Sequence, residues 1–186
     1  SGERRDFWHV NFFVLWYNTY TTDKITEGIY MVKTNAMRLL DSAKIKYDLS
    51  EYEVDESDLS GVHGAEMLGI DPDCMFKTLV CADEKGEHEV FLIPVAYELD
   101  LKKCAALAGV KRVEMIHVKD LLPLTGYVRG GCSPIGMKKK FPTYIDETAQ
   151  LCERIYVSAG TRGVQLILSP TDLAEYVGAK FGDLMR

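Results

Sequence analysis

The sequence predicts an α+β fold: a single domain with a central mixed, mainly antiparallel sheet and surrounding helices. Three observations predict it. Two apolar runs, Met75–Ala82 and Glu89–Pro94, flank the polar stretch Asp83-Glu84-Lys85-Gly86-Glu87, the pattern of a hairpin. Single helical stretches alternate with short strands, without the regular spacing of a βαβ wheel. The chain has 186 residues, 47% of them hydrophobic, which suffices to bury one sizeable core.

Taken in order, Asn35–Lys44 carries Ala36, Leu39, Leu40 and Ala43 at helical spacing and predicts the first helix. Tyr47–Val54 alternates and reads as a strand ending near Tyr52, followed by an acidic loop, Asp55–Gly61. A short helix around Gly64–Leu68 stops at Gly69, and Asp71-Pro72-Asp73 makes a turn into the hairpin. Asp100 caps a helix that runs through Ala108 and buries Leu101, Cys104, Ala105 and Ala108. Val113–Met115 reads as a short strand and Val118–Leu122 as a helical turn. Beyond them Thr143–Ile145, Arg154–Val157 and Val164–Leu168 read as strands, with a turn at Ser158–Gly163. Ser169-Pro170, a cap followed by proline at the first helical position, starts the last helix, Thr171–Val177.

The first 30 residues differ in character. Trp8, Trp16, Phe7, Phe12, Phe13, Tyr17 and Tyr20 crowd there, Ser1-Gly2 reads as a cloning remnant, and Met31 reads as a natural start. The expectation is an N-terminal extension, residues 1–30, before a core domain of residues 31–186. Its apolar run is far shorter than the about 20 residues a membrane span needs, and it lacks the features of a secretory signal. Net charge is −6, so a polyanionic partner has to be met by a local basic patch. Five scattered cysteines, without a CxxC pair, predict reduced thiols in a reducing, cytoplasmic compartment rather than a disulfide framework or a zinc site. No metal and no cofactor is expected.

The segment Leu124–Lys140, LTGYVRGGCSPIGMKKK, is too rich in glycine for a helix and too kinked for a central strand. It reads as a shaped loop, either a structural turn or one wall of a binding site. It matches neither GxGxxG nor a lysine-terminated phosphate loop, and Ile135 stands where a GxSxG elbow needs glycine. Cys132 is a nucleophile only if a histidine lies beside it, and no spacing singles out His9, His63, His88 or His117. Lys77, in the apolar run Phe76–Val80, is either an edge lysine with its head in water or an ammonium aimed into a cleft. Ser158 and Arg162, at a strand end, serve a ligand or merely water.

Phe76-Lys77-Thr78-Leu79, the run Thr125–Gly136, and Val157-Ser158-Ala159-Gly160 with Arg162-Gly163 together resemble the YbaK/EbsC family. These are free-standing aminoacyl-tRNA deacylases related to the editing domain of bacterial prolyl-tRNA synthetases. The likeness runs in order across residues 31–186. It implies trans-editing hydrolysis of cysteinyl-tRNA(Pro), needed because a pocket fitting proline discriminates against a similarly small cysteine by only about 1–3 kcal/mol. It also implies that the substrate's own thiol attacks its ester, so that the protein binds the 3′ end, orients the aminoacyl group and stabilises charge.

Carried over by position, the resemblance gives Lys77 the terminal phosphate or ribose end and Gly131 a backbone role beside the reacting carbonyl. Tyr52, Thr78, Ser158 and Gln165 line the substrate pocket, and Cys132 is structural. Lys102-Lys103, Lys111-Arg112, Arg129 and Lys138-Lys139-Lys140 are basic clusters able to meet an acceptor stem or to form a solvated rim. Prolyl-tRNA synthetase is the implied protein partner, and no membrane is expected. A deacylase for another small amino acid, such as alanyl-tRNA(Pro), and a non-catalytic module binding tRNA or the synthetase remain the alternatives.

Overall fold

The structure, a computed structural model, describes residues 32–186; the expected extension 1–30 lies outside the described residues. The first helix, α1 (Asn35–Ala43), buries Ala36, Met37 and Leu40. The Thr34 hydroxyl accepts the Met37 N–H at its start, and Lys44 closes it in the left-handed region. Next come β1 (Asp48–Glu51) and α2 (Gly61–Leu68). The predicted hairpin is β2 (Phe76–Asp83) and β3 (His88–Pro94), antiparallel from Phe76↔Pro94 to Ala82↔His88. The Asp83 carboxylate shapes its turn by accepting the N–H groups of Lys85 and Glu87. Then follow α3 (Leu101–Ala108), β4 (Val113–Met115), α4 (Val118–Thr125), β5 (Thr143–Asp146), β6 (Ile155–Ser158), β7 (Val164–Leu168), α5 (Pro170–Val177) and β8 (Lys180–Gly182).

The fold is α+β, with its strands divided between two sheets. Five strands run in the order β4-β2-β3-β5-β8, and three in the order β1-β7-β6. The larger sheet is mixed, because β5 lies parallel to both β3 and β8. The sheets face each other across the main core. Phe76, Val80, Val90, Leu92 and Ile145 meet Ile155, Val157, Leu166 and Leu168 there, closed by α1 and by Leu173 of α5. The other face of the larger sheet carries Cys81, Phe91, Ile93 and Tyr144 beneath Cys104 and Ala105 of α3. Burying each large aliphatic side chain is worth about 1.5–3 kcal/mol, against about 0–1 for an exposed ion pair. These layers, not the surface salt bridges, therefore hold the fold.

Several sequence expectations change. The strand β8 was not foreseen: three residues are too few to show alternation, and its partner β5 precedes it by more than thirty residues. The helix α2 starts at Gly61, inside the expected loop, because Ser60 accepts the His63 N–H and caps it. The helix α4 runs past Leu122 into the glycine loop despite Pro123, which forfeits one backbone hydrogen bond near the helix end. Lys138 caps the end of the helix by donating to the Leu122 and Pro123 carbonyls.

The cysteine expectation is corrected as well. Cys81, Cys104 and Cys132 are free and buried, but Cys74 and Cys152 form a disulfide across 78 residues of sequence. A bridge between Met75 and Tyr156 lays the start of β2 beside β6. That brings the segments just before each strand together, which no spacing in the sequence reveals.

Candidate functional site

The Met75–Tyr156 bridge also organises the site. Side chains alternate along a strand, so residues two beyond each bridge partner share its face. Lys77 and Ser158 therefore stand on the outer face of the wall, away from the main core, as Met75 and Tyr156 do. Ser158 lies opposite Gln165 in the β6–β7 register, and Gln165 lies opposite Ser50 in the β1–β7 register. Two residues beyond Ser50, Tyr52 joins its hydroxyl to the Gln165 side chain in a hydrogen bond. Ser158 and Gln165 are buried, while Tyr52 and Lys77 are half-buried.

The helix α2 lies directly on this wall, and two glycines permit it. A Cβ at Gly64 would come 2.8 Å from the Tyr52 hydroxyl, and one at Gly61 would come 2.3 Å from Val95 Cγ1. Under the helix start, Lys77 Nζ donates to the Val95 carbonyl at 3.1 Å. Burial lowers the Lys77 pKa and Glu98 pulls it back up. An ammonium has three donors, and Val95 takes one of them. Burial likewise raises the Tyr52 pKa, which the bond from Gln165 partly offsets.

The glycine loop stands beside the wall. The Tyr127 hydroxyl donates to the Ile135 carbonyl at 2.6 Å, and Gly131 N–H donates to Val128 at 3.0 Å. A Cβ at Gly131 would lie 3.1 Å from Arg162 N and 3.2 Å from the Thr161 carbonyl carbon. The space a side chain would need is thus already filled by the backbone of the Ser158–Gly163 turn. Arg162 fastens this contact, with Nε donating to the Arg129 carbonyl at 3.0 Å and Nη1 to the Glu56 carboxylate at 2.8 and 3.0 Å.

Of the six sequence-predicted site residues, the wall gathers Lys77, Tyr52, Ser158 and Gln165. Gly131 sits in the adjoining loop, against the turn that follows Ser158. Thr78 points the other way, to the inner face with Phe76 and Val80, where its Oγ1 is buried without a partner among the described residues. Sequence reasoning missed Tyr127, Glu56 and the α2 glycines. The one signal for them was a tyrosine inside a glycine-rich run and glycines at the start of a short helix.

Conventional nucleophiles are poorly placed here. Burial pushes the Cys132 thiol up to about 12, which leaves almost no thiolate at neutral pH. Ser133 is fully buried and its Oγ accepts the Ile135 N–H. Among the described residues no group of three His, Cys, Asp or Glu side chains is arranged to hold a metal ion. No helix among them is long and apolar enough to cross a membrane. A depression of about 300 Å³ opens at the far end of β2, lined by Asp83, His88, Arg112, Glu114, His117 and Asp120 among others. It mixes both signs of charge and lies away from Lys77.

The sequence profile described as "Aminoacyl-tRNA editing domain" matches residues 61–176. EbsC of Enterococcus faecalis, provisionally named a Cys-tRNA(Pro)/Cys-tRNA(Cys) deacylase, is 49% identical over 152 residues, covering 82% of this chain and 93% of its own. A crystal structure described provisionally as a trans-editing enzyme for prolyl tRNA synthetase superposes with a TM-score of 0.66 at 26% identity, over 75% of this chain and 87% of that one. The crystal structure of a hypothetical protein gives 0.73 at 23% identity, over 80% and 97% of the two chains, a likeness of fold alone.

Proposed function

The chain belongs to the aminoacyl-tRNA editing domain family, and on that premise we propose that it deacylates misacylated tRNA in trans, with cysteinyl-tRNA(Pro) as its substrate. The observation that carries this reading is the convergence of Lys77, Tyr52, Ser158 and Gln165 on one face, beside the glycine loop and without an ionised protein nucleophile. A hydrolytic site of that kind suits a substrate that brings its own nucleophile.

In the proposed reaction the substrate thiolate attacks the ester carbonyl carbon. A C–S bond forms, the ester C–O bond breaks, and the electron pair leaves on the ribose oxygen, which takes up a proton. The products are free tRNA and a cyclic thiolactone that water opens. Holding the reactive conformer supplies the rate, since intramolecular attack has a high effective molarity. Lys77 holds the terminal phosphate or ribose end through its remaining donors, as a point charge. Gly131 presents its backbone near the carbonyl, and Tyr52, Ser158 and Gln165 bound the aminoacyl side chain. Thr78 contributes through its backbone next to Lys77.

The acceptor stem is met weakly. Arg129, Lys139 and Lys140 are exposed near the glycine loop. Lys138 is engaged with α4, and Lys103 with Asp183 and the Met185 carbonyl. Choice of tRNA then falls to prolyl-tRNA synthetase as partner, and activity should fall only shallowly with salt. The test is to incubate the chain with Cys-tRNA(Pro) and Ala-tRNA(Pro), then repeat with Lys77→Ala. Release of cysteine alone, lowered by at least about 100-fold in the variant, is expected. Release of alanine alone would assign a different amino acid, and release of neither, or full activity of the variant, would overturn the reading.

A further inference from the structure

We infer that Arg162 is the positioning residue of the editing site: it fixes where the Gly131 backbone stands relative to the Lys77 wall. The inference deepens the proposed deacylase reading and rests on it. Three chain segments surround that site: the stretch after Tyr52, the glycine loop and the Ser158–Gly163 turn. Arg162 reaches from the third to both others, through Glu56 in the first and the Arg129 carbonyl in the second. Its own backbone N, with the Cα and carbonyl carbon of Thr161, fills the space beside Gly131, and a Cβ at Gly130 would lie 3.5–3.8 Å from its Nε, Cγ and Cδ. The turn is anchored from the other side by the bond from Tyr52 N–H to the Gly163 carbonyl. Moving Arg162 therefore moves Gly131 relative to Tyr52 and Ser158.

The guanidinium suits this task because it is planar and forked, so that one side chain serves two acceptors in different directions. A lysine radiates its donors from one atom and lacks the fork that separates Nε from Nη1. Glu56 is 71% exposed and Arg162 32%, so their ion pair contributes little to stability. The fold does not depend on it. A displacement of about 1 Å at a reacting centre, in contrast, costs up to about 100-fold in rate.

The experiment compares the full chain with Arg162→Ala, Arg162→Lys and Glu56→Gln. It measures kcat and KM on Cys-tRNA(Pro) and, on the free proteins, amide hydrogen exchange at Gly131 together with the unfolding midpoint. Arg162→Ala should lower kcat by about 10-fold to 100-fold with KM changed less than about twofold, and should speed exchange at Gly131. Arg162→Lys should recover part of kcat, and Glu56→Gln should lose less than Arg162→Ala. An Arg162→Ala enzyme within about twofold of the parent kcat, or one whose loss lies wholly in KM as for a direct tRNA contact, overturns the inference. If Arg162→Ala does not fold, the lysine and Glu56 variants decide on the same readouts. If the parent deacylates nothing, the proposed function fails, and unchanged Gly131 exchange would refute the positioning role separately.

Discussion

Glu89 offers the sharpest physical test of the structure. It sits in β3, only 4% exposed, and its Oε2 has no partner among the described residues. Burial, reinforced by the charges of Asp83, Glu84 and Glu87, raises its pKa to about 7 from the usual 4.5. The folded state therefore binds a proton that the unfolded chain gives up between those values. The contribution of Glu89 to stability is highest below about pH 4.5, falls as pH rises toward about 7, and is level above that. Each tenfold in proton affinity is worth 1.36 kcal/mol, so the whole effect is about 3 kcal/mol, and about 2 of it falls between about pH 5 and about pH 8. Glu89→Gln keeps the shape and cannot ionise. Urea unfolding of parent and variant at both pH values should show the variant gaining about 2 kcal/mol relative to the parent at the higher pH. Any fixed cost of burying the amide cancels in that comparison. A difference that does not change with pH would refute the placement of Glu89 as a buried, unpaired acid.

Two further outcomes follow from contacts already described. Gly131→Ala puts a methyl group 3.1–3.3 Å from backbone that cannot rotate away, so it should cost about 1–3 kcal/mol and most of the activity. Unchanged unfolding and kcat would show that the two loops do not pack as described. Replacing Cys74 and Cys152 by serine opens a loop of 78 residues and should cost up to about 4 kcal/mol. Reductant should bring the parent down to the variant, and a parent indifferent to reductant would count against the bridge.

The family, the α+β class and the β2–β3 hairpin were legible because their signals are local. Three motifs stand at fixed spacing, and the hairpin's strands are joined by the four polar or glycine residues 84–87, with the bend set by the Asp83 carboxylate at the end of β2. The face shared by Lys77, Ser158 and Gln165 was not legible. It depends on the Met75–Tyr156 bridge, which forms between segments some eighty residues apart and leaves no periodic trace. The same bridge hid the disulfide. Thr78 shows the limit of motif transfer: next to Lys77 in sequence, it faces the opposite side, because neighbours on a strand must. Arg162 was visible as a cation in a turn, but its two acceptors, Arg129 and Glu56, lie 33 and 106 residues away.

The state of the protein's sulfur has a consequence for turnover. Cys81, Cys104 and Cys132 all have their thiols raised to about 12 by burial, and Cys74 and Cys152 are tied to each other. A cysteinyl ester and the thiolactone made from it are both acyl donors, and an ionised thiol nearby would capture the acyl group as a thioester. Cys132, next in sequence to Gly131, would be the first to do so. With its sulfurs withdrawn, the protein offers the activated acyl group no ionised thiol. In the proposed reaction water is then left to open the ring, with no thioester formed on the protein.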